Sequence, residues 1–230
     1  MVPAKLPHTK DESALKLLAF TDIHGAYERV DHIISSEEGV NGIIIGGDLT
    51  TYGTPEDGAK AIRVFQNNGL PVFAVAGNMD SPDFDERHES MGVSINARGM
   101  MLGDIGLFGV SASPFTPMHT PYEIAEEEIA RRAEMGWNDV REAKWKIFVP
   151  HAPPRDTKLD RIVLGRHVGS TAVRKFIEQR QPDVVVCGHI HESRGLDMLG
   201  KTRMVNCGPS GKGYYAVIDI GSGITVEARG

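Results

Sequence analysis

The sequence predicts an α/β fold with two sheets in a single domain, on three observations. The chain opens as strand, helix, strand, helix, strand up to Asn78; apolar strand candidates recur later with helical stretches between them; and the tail from Lys201 reads as three short antiparallel strands. A βαβαβ opening implies parallel strands joined by right-handed crossovers. The strands would then deliver the residues that follow them to one edge of the sheet, where ligands bind in open α/β folds.

The elements follow in order. LKLLAF (15–20) is an apolar strand, and a helix follows from about Ala26 to Glu37 with Val30, Ile33 and Ile34 on one face. GIIIGGD (42–48) is the second strand. PEDGAKAIRVFQNNG opens with Pro55 and acidic residues and closes at Gly69, the polarity of a helix. PVFAVAGN (71–78) is the third strand, and GMMLGDIGLFGVSAS (99–113) reads as a hairpin turning at Gly103-Asp104. A helix is expected over 121–137 from Pro121 and its early acids, then strand 145–151, a helix over about 170–181 capped by Ser170, and strand 183–191. Residues 1–13 are polar and proline-containing and read as a flexible N-terminal arm; residues 14–230 read as the single domain.

Composition narrows the function. Of the 230 residues, 40% are hydrophobic and 24% charged, enough to build a core. Lysine and arginine number 25 against 31 acidic residues, a formal charge of −6, which argues against general nucleic-acid binding. A small anionic substrate stays open, because a bound metal brings its own positive charge. No apolar run reaches the roughly 20 residues of a membrane span. The N-terminus has no apolar region of signal-peptide length, so an intracellular, cytoplasmic protein is expected. Cys187 and Cys207 sit in apolar strands and read as buried small hydrophobes, not a disulfide. GMMLGDIGLFGV is assigned to the core ahead of a subunit contact, and an oligomer stays open.

The chemistry lies at the strand ends. Asp22-Ile23-His24, Gly47-Asp48, Gly77-Asn78-Met79-Asp80, His151 and Gly188-His189-Ile190-His191 each follow an apolar strand. Alone, each reads as an ordinary loop or strand edge. Together they offer carboxylates, imidazoles and an amide oxygen, a donor set suited to first-row divalent metals. The glycines ahead of Asp48, Asn78 and His189 allow close approach at a crowded site.

The ordered series D-x-H, G-D, G-N-x-D, H, G-H-x-H resembles the calcineurin-like metallophosphoesterases from Asp22 to His191. The resemblance implies a four-layer αββα sandwich, two mixed sheets flanked by helices, around two divalent ions, with manganese favoured over iron, zinc or nickel. It implies one metal on Asp22, His24, Asp48 and His191, and the other on Asp48, Asn78, His151 and His189, so that Asp48 bridges. Two cations about 3.5–4 Å apart clamp a phosphoryl group, and a water acidified by both serves as in-line nucleophile.

Met79 departs from that pattern, since the family commonly has His in G-N-H-D or G-N-H-E. Methionine has no proton to give a leaving group, and general acid catalysis is worth about 10²–10⁴-fold. His167 or His119 could supply the proton from a loop, and Asp80 is expected to accept a hydrogen bond from a metal-bound imidazole or water. Arg155, four residues after His151, is a candidate for holding a substrate phosphate together with Asn78. GPSGKG (208–213) lacks the Walker spacing and precedes a strand, so it is set aside as a nucleotide loop. The resulting expectation is a metal-dependent hydrolase of phosphodiesters or activated phosphate esters, nucleotide-type substrates included, with catalytic roles at Asp48, Asn78, Asp80 and His167. The rival is a scaffold that keeps the fold, loses the chemistry and binds a protein partner.

Overall fold

Side chains alternate along β1 (Leu15–Phe20), and that alternation separates two cores. Leu17 and Ala19 face inward to Ile44, Val149, Val186 and Val205, whereas Leu18 and Phe20 face outward to Val30, Ile34, Ile62 and Phe65. A third cluster, with Phe108, Phe148, Val173 and Phe176, lies on the far side. Three apolar layers between four layers of elements make the αββα sandwich. The structure is a computed structural model that describes residues 14–230; the expected arm over 1–13 lies outside the described residues.

The first sheet holds β1, β2 (Val40–Gly46), β3 (Val72–Val75), β10 (Tyr215–Ile220) and β11 (Ile224–Arg229) in the order β11-β10-β1-β2-β3. Strands β1, β2 and β3 run parallel; β10 and β11 are antiparallel. The second sheet orders β4 (Gly99–Leu102), β5 (Ile105–Val110), β6 (Trp145–Pro150), β7 (Val184–Cys187), β9 (Thr202–Asn206) and β8 (Gly195–Leu199). Its interior is parallel, with antiparallel edges β4 and β8. Helices α1 (Tyr27–Ser36) and α2 (Pro55–Gln66) cover the first sheet; α4 (Glu126–Val140) and α5 (Thr171–Arg180) cover the second. Thr54 and Asp57 form a reciprocal capping box ahead of Pro55, and Ser170 caps α5 by accepting from the Val173 N–H at 3.1 Å.

Four readings of the sequence need correction. The helix expected from Pro121 begins at Glu126, because Glu123 is held by the backbone and hydroxyls of Thr116 and Thr120, and the Tyr122 N–H bonds the Asn78 carbonyl. The tail is not one antiparallel unit: β9 joins the second sheet beside β7, and β10 and β11 join the first. Strands β3 and β7 stop at Val75 and Cys187, so Asn78 and His189 stand on loops and His191 opens a short 3-10 turn, His191–Ser193. Helix α3 (Asp83–Ser90) and β8 were not read at all; α3 buries only Phe84 and His88 and has little apolar periodicity. Cys187 and Cys207 are free and buried, as expected, and belong to different cores.

His88 on α3 yields a stability prediction. It is 1% exposed, it meets Phe84 edge-on, and neither ring nitrogen has a hydrogen-bond partner. Burial pushes its pKa down from 6.5 to about 4. The unfolded chain therefore takes up a proton below pH 6.5 that the native protein refuses until about pH 4, and stability falls across that window. The loss at pH 5 is about 2 kcal/mol, or about 4–8 °C in thermal midpoint for a domain of this size. His88→Leu will be less sensitive to acid between pH 7 and 5 by that amount. Superimposable pH dependence of melting in the two proteins would refute the assignment.

Candidate metal centre

The polar strand ends converge. The Asp22 and His24 N–H groups donate to the Gly47 and Asp48 carbonyls at 3.0 Å each, which lays the loop after β1 beside the loop after β2. Asp22, His24, Asp48 and His189 all hold left-handed backbone conformations, with φ of 52°, 49°, 50° and 65°. Such conformations cost non-glycine residues of order 1–3 kcal/mol each and concentrate at functional sites. Gly77 and Gly188 permit the crowding: a Cβ on Gly77 would lie 2.0 Å from Asp48 Oδ1, and one on Gly188 would lie 2.2 Å from Asp22 Oδ2.

Asp48 is central. Its Oδ2 lies 3.7 Å from His24 Nε2 and its Oδ1 lies 3.5 Å from His151 Nε2. On the first side stand Asp22 and His191, with His191 Nε2 at 3.2 Å from Asp22 Oδ1. On the second side the Asn78 Oδ1 lies 3.0 Å from His151 Nε2 and 2.7 Å from His189 Nδ1. Donor atoms of Asp22, His24 and His191 lie within 4.8 Å of one another, as do those of Asp22, Asp48 and His151. Asp22 therefore reaches both groups, where the sequence assigned it to one.

The donors fit cations better than they fit each other. His151 Nδ1 donates to the Gly46 carbonyl at 2.8 Å and His24 Nδ1 to the Thr50 carbonyl at 3.2 Å, which turns each Nε2 toward Asp48. His151 Nε2 also stands 3.0 Å from the Asn78 oxygen. Donors sharing one cation at roughly 2.1 Å stand about 3–3.5 Å apart, close to the separations here. Charge agrees with geometry. Asp22, Asp48 and Asp80 are 0%, 2% and 0% exposed, and among the described residues Asp22 and Asp48 have ion-pair contacts only with histidines.

The titration shifts have physical causes. Burial, with the charges of Asp22 and Asp80, holds Asp48 well above the usual carboxylate range. Burial also acts to raise Asp22, but the His191 hydrogen bond and the nearby imidazoles outweigh it and carry Asp22 down. Burial pushes His189 down to about 3 and lowers His24, keeping both rings neutral and able to ligate; the Asp22 hydrogen bond raises His191.

The remaining candidates are placed as follows. Asp80 does not accept from an imidazole: its carboxylate takes the Leu49 N–H at 3.1 Å, the Thr50 N–H and Oγ1 at 2.8 Å, and the Gly77 N–H at 2.9 Å. This carboxylate clamps the loop after β2 to the loop after β3. Met79 contributes its backbone, the N–H donating to Asp48 Oδ1 at 2.8 Å. His167 Nδ1 is held by Asp160 Oδ1 at 2.7 Å, and the structure gives it no bond to any candidate ligand. Arg155 is exposed, 3.9 Å from Asp156, and His119 is exposed on the loop 114–120.

The sequence model of the calcineurin-like phosphoesterase family matches residues 15–193. The chain belongs to that family. It is 32% identical over 210 residues to the uncharacterized protein MJ1162 of Methanocaldococcus jannaschii, covering 87% of this chain and 90% of that one. The fold of this phosphoesterase matches that of TT1561 of Thermus thermophilus with a TM-score of 0.74 at 18% identity, over 94% of this chain and 98% of the other. A structure described as a novel archaeal phosphodiesterase aligns with a TM-score of 0.52 at 14% identity, over 94% of this chain and 100% of that one. At those identities the structures speak to the fold alone. Among the described residues no helix is long and apolar enough to cross a membrane.

Proposed function

We propose that this phosphoesterase hydrolyses phosphodiesters or activated phosphate esters, nucleotide-type esters included, at a site holding two divalent cations, manganese ahead of iron, zinc or nickel. The observation that carries the proposal is Asp48, which presents one carboxylate oxygen to each of two imidazole groups. Asp22, His24, Asp48 and His191 would hold one cation, and Asp48, Asn78, His151 and His189 the other. Bound there, the cations supply Lewis acidity and a nucleophile at neutral pH.

The chain's own groups then divide the remaining work. Asn78 and Arg155 orient phosphoryl oxygens; the Arg155 guanidinium is only loosely paired in the structure and suits a bidentate grip. His167, its Nδ1 held by Asp160, is the candidate proton donor to the leaving oxygen. Asp80 positions the ligand loops and moves no proton. A diester carries less charge than a monoester, and among the described residues Arg155 is the one cationic side chain assigned to the phosphate here, which favours the diester.

Metal analysis of the purified protein, with turnover of bis(p-nitrophenyl) phosphate under added manganese, tests this reading. Metal binding and turnover are expected. Bound metal with no turnover of any ester in a panel would favour the scaffold reading, for which Met79 is the specific observation. A second result concerns Met79 directly. Rates for esters of rising leaving-group pKa will fall more steeply in the wild type than in Met79→His, and more steeply still in His167→Ala, the gap between the two variants reaching about 10²-fold or more for alkoxides. Equal slopes would show that position 79 does not govern proton delivery.

A further inference from the structure

The segment Asn206-Cys207-Gly208-Pro209-Ser210 carries the chain from β9 in one sheet to β10 in the other. Asn206 is fully buried. Its Nδ2 faces three carbonyls, those of Leu159 at 3.1 Å, Gly188 at 3.3 Å and Ile190 at 2.9 Å, and its Oδ1 accepts the Gly208 N–H at 2.9 Å. One amide thus grips the loop on both sides of His189. The circuit continues through Thr21. The Gly208 carbonyl accepts from Thr21 Oγ1 at 3.1 Å, Ser210 Oγ accepts the Thr21 N–H at 3.2 Å, and the Ser210 N–H returns to the Thr21 carbonyl at 3.0 Å. Thr21 precedes Asp22, whose two carboxylate oxygens each lie 3.1 Å from the His189 nitrogen as acceptors of its N–H. The ring closes on itself.

We propose that Asn206 and Thr21 are positioning residues of the metal centre, setting the approach of Asp22, on one sheet, to His189 and His191, on the other. The inference rests on the reading of these side chains as metal ligands. Sheet packing alone does not require such a device: the apolar core between the sheets fixes their mean spacing, whereas ligand donors must be held within tenths of an ångström. The amide suits the task because its two N–H donors meet carbonyls on either side of one ligand while its oxygen holds the crossing segment. Residues that orient ligands typically change metal affinity by 10–100-fold when replaced. GPSGKG, which looked like a failed phosphate loop, belongs to this buckle.

Manganese titration of the metal-free protein, read as free-ion spectroscopic signal and by calorimetry, tests the inference. The wild type is expected to bind two ions. Asn206→Ala will weaken at least one of them by about 10–100-fold while its far-ultraviolet circular dichroism stays native. Thr21→Val keeps the shape and loses the hydroxyl, and will weaken binding by about 10-fold, whereas Thr21→Ser will bind within about twofold of wild type. If Asn206→Ala does not fold, the Thr21 pair decides. Wild-type affinity in Asn206→Ala or Thr21→Val, or equal weakening in Thr21→Ser and Thr21→Val, overturns the proposal. A wild type that binds no manganese overturns the metal-centre reading itself, and this inference with it.

Discussion

Asp48→Asn will lower manganese-dependent ester turnover by about 10³-fold or more, and in the metal-free protein it will not lower the thermal midpoint. The first effect follows from the bridging place proposed for Asp48, since a charge serving both cations there would supply several kilocalories of stabilisation and each 1.36 kcal/mol is tenfold in rate. The second follows from the cost of that same charge without metal. Burial and two neighbouring aspartates hold Asp48 well above its ordinary pKa, so the neutral isostere relieves repulsion. Asparagine keeps an oxygen for the Met79 N–H. The same substitution separates the states by ligand linkage. Manganese at a hundredfold excess over its dissociation constant stabilises a binding protein by about 2.7 kcal/mol, and Asp48→Asn will lose most of that increment. A metal-free melt clearly below wild type, or intact turnover, would refute the central role of this carboxylate.

Asp80→Ala will be the most destabilising single substitution near the site. It strips the acceptor from the N–H groups of Leu49, Thr50 and Gly77 and from the Thr50 hydroxyl, all buried. An unsatisfied buried donor costs about 1–3 kcal/mol, so the sum, partly relieved by water, is about 4 kcal/mol, or roughly 10–15 °C in thermal midpoint. The loss will appear with and without metal, because the clamp acts on backbone. Melting of the metal-free variant checks it, and a fall of under about 3 °C would show that these donors find other partners. This outcome separates Asp80 from a proton-transfer role, in which activity would fall with little change in melting.

Much of the fold was legible because burial writes itself locally. The cores of the expected strands, LLAF, III, VFAV and IFVP, are strands in the structure, since strands buried on both faces run nearly all apolar; only their ends were misjudged. The strand ends were legible for the opposite reason: an apolar run that stops at glycine and then Asp, Asn or His has no packing explanation. Helix α3 escaped because DFDERHES buries only Phe84 and His88, too few for a period to show. The start of α4 was misplaced because Pro121 fits a helix N-terminus locally, while Glu123 is captured by two threonines.

The sequence by itself determined the two-sheet α/β architecture and which polar residue types stand just after the strands, because strand patterning and residue type are properties of neighbours along the chain. Only the tertiary structure decided that Asp22 lies in both groups of candidate donors, that Asp80 clamps the backbone of two loops, and that Asn206 and Thr21 join loops of the two sheets. Those facts rest on hydrogen bonds between residues far apart in sequence, such as Thr21 and Gly208, whose pairing has no local signature.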